Sequence, residues 1–306
     1  MSDHPHADAA ARDTHDPTEG VSIVIPAYNE EGGIAPTLED LLSTLDKLDL
    51  GAPVEILVVN DGSSDGTAAA LAPFEGRVRV LHHKRNRGYG ASLKTGIHAA
   101  RYPWILITDA DGTYPNEFLP TLWAQREDQD MVVGARTGAN THIPLVRRPA
   151  KMALRKLASW LSGRNIPDLN SGFRLMRKDV VHRFENLLPD GFSFTTTITL
   201  AMLSGGYEVL YTPIDYHRRA GSSKIRPIAD TLNFTRLILR TILYFDPLRV
   251  FLPLALLFVL AAVGVGVGGY VATGRVMDVT TVLLFVTGIH MAAIGMLADM
   301  LNRRIR

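Results

Sequence analysis

Ile105-Leu106-Ile107-Thr108-Asp109-Ala110-Asp111-Gly112 is an apolar, β-branched run that ends in two carboxylates one residue apart. The run reads as a buried strand. Residues at i and i+2 of an extended segment point the same way, so Asp109 and Asp111 are placed to converge on one cation. Paired hard oxygens suit Mg²⁺ or Mn²⁺, ions that keep waters and bind substrate phosphates as well. Asp and Gly are also what an ordinary strand-to-loop turn contains. The surrounding sequence decides between the two.

On either side of this stretch, strands and helices alternate. Val21–Ile25, Val54–Val59, Val78–Leu81, Trp104–Thr108 and Met131–Val133 read as short strands, with helices at Ile34–Leu48, Thr67–Phe74, Ala91–Ala100 and Glu117–Gln125. This alternation predicts an α/β fold with a mainly parallel sheet and right-handed crossovers. Ligands of such sheets gather beyond the carboxyl ends of the strands. Three polar clusters fall there: Pro26-Ala27-Tyr28-Asn29-Glu30, Asn60-Asp61-Gly62-Ser63-Ser64-Asp65-Gly66-Thr67 and Asp109-Ala110-Asp111. Neither GxxxxGK[ST] nor GxGxxG follows any of these strands, so a P-loop and the usual dinucleotide fingerprint are both excluded.

The 306 residues allow one large or two ordinary domains, and a net charge of +1 makes no case for nucleic acid. Residues 1–20 hold Asp3, Asp8, Asp13, Asp16 and Glu19 against Arg12, with almost no large apolar side chain, and read as a disordered acidic tail. His4, His6 and His15 lie in it, as metal ligands or as solvated side chains. The tail lacks the apolar stretch of a signal peptide, so the domain after it is expected in the cytoplasm. Cysteine is absent, which excludes disulfides, thiolate metal sites and cysteine nucleophiles.

Phe251–Val271 and Val279–Ala298 are long runs with hardly a charge. At about 1.5 Å per residue each spans roughly 30 Å, the hydrocarbon core of a bilayer. Residues 248–302 are therefore expected to form a two-helix transmembrane hairpin. Arg249 before it and Arg303, Arg304 and Arg306 after it outnumber Arg275 in the link, which places both ends in the cytoplasm. His290 in the second span is either functional or a packing residue. Between Leu145 and Arg164 lie Arg147, Arg148, Lys151, Arg155, Lys156 and Arg164 with no acid. Leu154, Leu157, Ala158 and Leu161 make that segment an amphipathic helix suited to an anionic membrane surface. Ile228–Phe245 reads as a second interfacial helix, within a segment bounded as 227–247.

Val24-Ile25-Pro26-Ala27-Tyr28-Asn29-Glu30, Val58-Val59-Asn60-Asp61-Gly62-Ser63-Ser64-Asp65-Gly66-Thr67 and Asp109-Ala110-Asp111 resemble the family-2 glycosyltransferases, whose catalytic domain has the Rossmann-like GT-A fold. Asn170-Ser171-Gly172-Phe173-Arg174-Leu175 and Arg218-Arg219-Ala220-Gly221-Ser222-Ser223-Lys224 narrow the resemblance to polyprenyl-phosphate sugar synthases, the group that includes the dolichyl-phosphate mannose synthases. It covers residues 21–226, and the hairpin resembles that of bacterial members.

The resemblance implies that Pro26, Tyr28, Glu30, Val59 and Asp61 hold the nucleoside of a UDP- or GDP-hexose, Asp61 near the base or ribose. It implies that Asp109, Ala110 and Asp111 lie against the diphosphate and its Mg²⁺ or Mn²⁺. Arg136 matches an arginine near the sugar phosphate, and Arg218 and Lys224 match the basic pair of a loop that closes over the site. Arg148, with Arg147 beside it, is the expected contact for the acceptor phosphate. Many relatives carry Gln where this chain has Thr113, which leaves that contact unassigned. The Gln-x-x-Arg-Trp of processive members is missing, since Trp104, Trp123 and Trp160 have other neighbours, and this argues against a polymerising synthase.

The chemistry follows from charge. When a nucleotide sugar reacts, negative charge builds on the departing diphosphate, and a metal with Arg136, Arg218 and Lys224 would stabilise it. A hydroxyl acceptor must lose a proton. A phosphate monoester, with a second pKa of about 6, is already largely dianionic near neutral pH. Asp168 is the best-placed general base and equally a turn residue shaping the acceptor loop. Ser193–Thr197 is a hydroxyl-rich run without a chemical assignment. The expected activity is an inverting hexosyl transfer to polyprenyl phosphate at the cytoplasmic membrane face, with room for a homo-oligomer. The alternatives are a transferase acting on another lipid or a glycan hydroxyl, and a non-catalytic nucleotide-sugar-binding membrane module.

Overall fold

The computed structural model describes residues 19–48, 50–138, 152, 155–156, 158–160, 162–191, 193–216, 238–274 and 278–305. Arg147, Arg148, Arg218 and Lys224, residues 1–18 of the acidic tail and most of the basic 145–164 segment lie outside them.

A seven-stranded sheet forms the centre, in the order β3-β2-β1-β4-β6-β5-β7. The strands are β1 (Val21–Ala27), β2 (Val54–Asn60), β3 (Arg79–His82), β4 (Trp104–Ile107), β5 (Met131–Ala135), β6 (Arg174–Arg177) and β7 (Val209–Pro213). The helices are α1 (Ile34–Lys47), α2 (Thr67–Leu71), α3 (Tyr89–Ala99), α4 (Leu119–Ala124), α5 (Lys178–Arg183), α6 (Phe194–Ser204), α7 (Leu248–Thr273) and α8 (Asp278–Ile305). Every residue of β1 is buried. That is the pattern of a central strand covered on both faces, where polar alternation disappears. The two faces feed separate cores. Ile23, Ile25, Leu38, Leu41 and Val58 lie on one side, and Val24, Leu57, Leu93, Ile97 and Ile107 on the other. Each such side chain contributes roughly 1.5–3 kcal/mol by leaving water.

β6 is the exception to the parallel order, running antiparallel to both β4 and β5. Its first residue, Arg174, pairs with Ile107 at the end of β4 and with Val133 near the end of β5. The loop leading into β6 is thereby delivered to the rim where the parallel strands end.

Residues 238–245 are helical, burying Ile238 and Ile242 against Ile166, Leu200 and Leu203, and Phe245 against Phe184, while Leu239 and Tyr244 stay exposed. α7 and α8 follow as an antiparallel pair. Leu248–Ala272 and Val279–Leu301 have mean hydropathies of 2.7 and 2.0 and are largely unburied, as spans facing lipid are. The two helices approach closely at Gly295, where a Cβ would stand 2.6 Å from Phe251 Cβ. Small residues at the contact are what brings helices together where lipid removes the hydrophobic drive. His290 is exposed on this hairpin.

Candidate active site

The loops after β1 and β2 are laced together above the rim. The Glu30 N–H donates to Thr67 Oγ1 (2.9 Å), Asn29 N–H to Ser63 Oγ (3.0 Å), and Ser64 N–H to Asn29 Oδ1 (2.9 Å). Pro26 and Val59 pair across β1 and β2 and are buried, whereas Tyr28 is exposed just beyond them. The residues expected to hold a nucleoside thus share one corner. Asp61 lies at its base, 2 % exposed, and its Oδ1 accepts from the Arg87 N–H (2.9 Å) and sits 2.6 Å from His83 Nδ1. Its Oδ2 accepts from the Gly88 N–H at 2.8 Å. His83 Nε2 in turn lies 2.9 Å from Thr95 Oγ1. Asp61 is therefore the post on which the 83–88 loop is hung, a role the sequence did not disclose.

Asp109 and Asp111 follow β4 on the same rim. Tyr89 Oη donates to Asp109 Oδ1 at 3.0 Å. Burial above all, and then the Asp109 charge, push the Tyr89 phenol well above its ordinary range, so it stays a donor. Asp111 Oδ1 accepts from both the hydroxyl (2.6 Å) and the N–H (3.2 Å) of Thr113. Thr113 thus helps to orient the second carboxylate. Ala110 O accepts from Thr37 Oγ1 at 3.1 Å, which ties this loop to α1.

The 168–174 loop closes the other side. Arg136 Nε and Nη2 donate to Asp168 Oδ2 and Oδ1 at 2.7 and 2.9 Å, and the Arg136 N–H adds a third bond at 3.1 Å. Burial opposes the Arg136 charge, but Tyr114 and Asp168 outweigh it and hold the guanidinium above its usual range. Its carbon sits 5.2 Å from the Tyr216 ring centroid, a cation–π contact. Asn170 Oδ1 accepts from Thr196 Oγ1 (2.6 Å), and the Gly172 N–H donates to Tyr114 Oη (2.6 Å). Beneath them Arg174, fully buried, donates from Nη1 to Thr195 O (3.1 Å) and Thr199 Oγ1 (2.7 Å). Burial pulls its pKa down from the usual arginine value. The hydroxyl-rich run at 193–197 thus opens α6 and anchors this loop.

Asp109 and Asp111 offer hard oxygen donors, and the space beside them has a definite cause. A Cβ on Gly172 would stand 2.9 Å from each Asp109 carboxylate oxygen, so glycine is what leaves that face open. The donor set and the cradle fit a divalent cation of the Mg²⁺ or Mn²⁺ kind. Tyr89, Tyr114, Thr113, Gly172 and Arg174 were not assigned from sequence. The Ser171-Gly172-Phe173-Arg174 motif was the one signal pointing to two of them.

The sequence matches the family model "Glycosyl transferase family 2" over residues 22–184 and "GtrB C-terminal hairpin" over 246–303. It is 33 % identical over 214 residues to the dolichyl-phosphate hexose transferase of Haloferax volcanii, covering 69 % of this chain and 89 % of that protein. The polyprenol monophosphomannose synthase of Mycolicibacterium smegmatis is 30 % identical, with 68 % and 82 % covered. The undecaprenyl-phosphate mannosyltransferase of Micrococcus luteus is 29 % identical, with 67 % and 87 % covered. Among solved structures, glucosyl-3-phosphoglycerate synthase from Mycobacterium tuberculosis, in complex with Mn²⁺, UDP and phosphoglyceric acid, shares the fold. Its TM-score is 0.56 at 19 % identity, covering 74 % of this chain and 78 % of that one.

Proposed function

Because the chain belongs to glycosyl transferase family 2, we propose that it moves a hexose from a UDP- or GDP-sugar to a polyprenyl phosphate at the cytoplasmic face of a membrane. The observation that carries this reading is the shared rim. The nucleoside corner, the Asp109/Asp111 pair and the 168–174 loop meet there, on a domain continuous with an apolar hairpin. Pro26, Tyr28, Glu30 and Val59 bind the nucleoside, while Asp61 shapes their floor through the 83–88 loop. Asp109 and Asp111 would hold Mg²⁺ or Mn²⁺, which when bound neutralises charge on the diphosphate. Tyr89 and Thr113 keep the two carboxylates turned toward it.

Arg136 is already forked to Asp168, so its charge is fixed in place at the edge of the sugar site. Preorganised charge needs no rearrangement as the diphosphate departs. The same fork commits Asp168 to holding the loop, which favours the turn-shaping role over the base. A dianionic acceptor phosphate has no proton to give up, and Arg148 is the cation proposed to capture and aim it, while Arg218 and Lys224 would join Arg136 in stabilising the departing diphosphate. Direct displacement from the face opposite the diphosphate inverts the anomeric centre.

The test is to incubate membranes containing the chain with a panel of labelled UDP- and GDP-hexoses, with and without added polyprenyl phosphate, and to extract the lipid. Label should enter the lipid phase with one donor and depend on polyprenyl phosphate. Transfer to diacylglycerol or a glycan instead would replace this acceptor. Donor binding without transfer to any acceptor would make the chain a binding module.

A further inference from the structure

Far from the rim, α3 and α5 assemble a second set of donor atoms. His98 occupies the last turn of α3, His182 lies near the end of α5, and Glu185 opens the 3₁₀ turn that follows. His98 Nε2 stands 2.5 Å from Glu185 Oε1, and His182 Nδ1 stands 3.4 Å from Glu185 Oε2. The two rings are 5.1 Å apart, tilted by 43°. One donor atom from each residue lies within 4.8 Å of the other two. The first turn of α3 carries Tyr89, which touches Asp109, so nearly ten residues of helix, or roughly 13–15 Å, separate this cluster from the carboxylate pair.

A single imidazole hydrogen-bonded to a carboxylate is an ordinary surface contact. Here two imidazoles from different elements turn one nitrogen each toward the same carboxylate. Zinc binds imidazole nitrogen and carboxylate oxygen at about 2.0–2.2 Å, so tetrahedral ligand atoms stand about 3.4 Å apart. The observed spacings bracket that distance, and rotation of part-exposed side chains suffices to equalise them. Side-chain exposures of 53 % for His98, 34 % for His182 and 36 % for Glu185 leave the fourth position to water. Lys94 lines the same recess, but its ammonium is drawn away to Asp190 at 2.7 Å.

We propose that His98, His182 and Glu185 form a zinc site that clamps α3 to the α5 segment, separate from the carboxylate pair on the rim. The donor types set the preference: imidazole favours Zn²⁺, whereas Mg²⁺ and Mn²⁺ favour the all-oxygen set of Asp109 and Asp111. The clamp lies beside the seat of the hairpin, because Phe184 packs on Phe245 with ring centroids 5.8 Å apart, three residues before α7 begins.

The test uses the full-length chain in detergent, stripped of metal and carrying His4→Ala, His6→Ala and His15→Ala to remove the tail imidazoles. Calorimetric titration with Zn²⁺ should show one saturable site that excess Mg²⁺ does not displace. Co²⁺ in its place should give the visible bands of a tetrahedral ion. His98→Ala and His182→Ala should each abolish both signals while melting at the unchanged temperature in metal-free buffer. Asp111→Asn should keep them. Zinc binding that survives the two histidine substitutions, vanishes with Asp111→Asn, or is absent from the outset would overturn the site.

Discussion

Arg174 Nε and Nη2 both donate to the carbonyl oxygen of Ser171, at 2.9 and 2.6 Å, with no part of the guanidinium exposed. Among the described residues its hydrogen-bond partners are all uncharged. Burying a charge in that way is costly, so the geometry it enforces must matter elsewhere. Ser171 precedes Gly172, and Gly172 is the residue packed on Asp109.

Arg174→Lys keeps the charge but replaces a planar fork with a single ammonium. Ser171 should then shift, and misplacement of about 1 Å can cost about 10²-fold in rate. Steady-state kinetics should show a drop of that order in kcat/KM, together with a higher Mn²⁺ concentration for half-maximal rate. Unchanged metal dependence would disconnect Arg174 from the carboxylates.

Gly172→Ala places a methyl group 2.9 Å from both Asp109 oxygens, and one of them must move. Turnover should fall by about 10²-fold while the melting temperature changes little, and Asp111→Asn should be at least as severe. EDTA should silence the wild-type chain, with Mg²⁺ or Mn²⁺ restoring it. Full activity in EDTA would remove the cation from the mechanism.

Asp168→Asn leaves Arg136 buried without its counter-charge. Breaking a buried pair on one side costs about 3–5 kcal/mol, so denaturant melts should show a loss of that order. The residual activity should still rise with pH around the acceptor's second pKa of about 6, following phosphate ionisation. Arg148→Ala should instead leave stability alone and raise KM for polyprenyl phosphate. If Asp168→Asn were fully stable and inactive at every pH, Asp168 would be a base and the acceptor a hydroxyl.

Asp61→Ala strands the Arg87 and Gly88 N–H groups and loosens His83. The 83–88 loop then loses the bonds that hold it beside the nucleoside corner. Calorimetry should find weaker nucleotide-sugar binding with unaltered affinity for lipid phosphate. Equal losses on both would mean that the 83–88 loop serves donor and acceptor together.

β1, β2 and β4 could be read from sequence because buried parallel strands are uninterrupted apolar runs, and their observed ends fall within two residues of expectation. β6 escaped notice because Arg174-Leu175-Met176-Arg177 begins and ends in arginine, and the first of these is buried only by virtue of tertiary partners. β7 escaped because its residues are mostly half-buried. The Asp109/Asp111 pair was legible because two carboxylates at the end of one strand are a local pattern. What orients them is not local: Tyr89 lies 20 residues from Asp109, and Tyr114 lies 58 from Gly172. Asp168 drew attention for its place before the motif, but its partner Arg136 is 32 residues away, which left base and turn equally open.

The α7–α8 hairpin changes what concentration means for this protein. On the proposed function, catalyst and lipid acceptor are both confined to one bilayer, and encounters occur by diffusion in two dimensions. The quantity that sets the rate is then the mole fraction of acceptor among the surrounding lipids, not its amount per volume of solution. Diluting the acceptor with inert phospholipid at constant bulk concentration should slow the reaction, whereas diluting whole vesicles with buffer should leave the rate per enzyme unchanged at saturating donor. On that reading the two apolar helices serve as a kinetic device as well as an anchor.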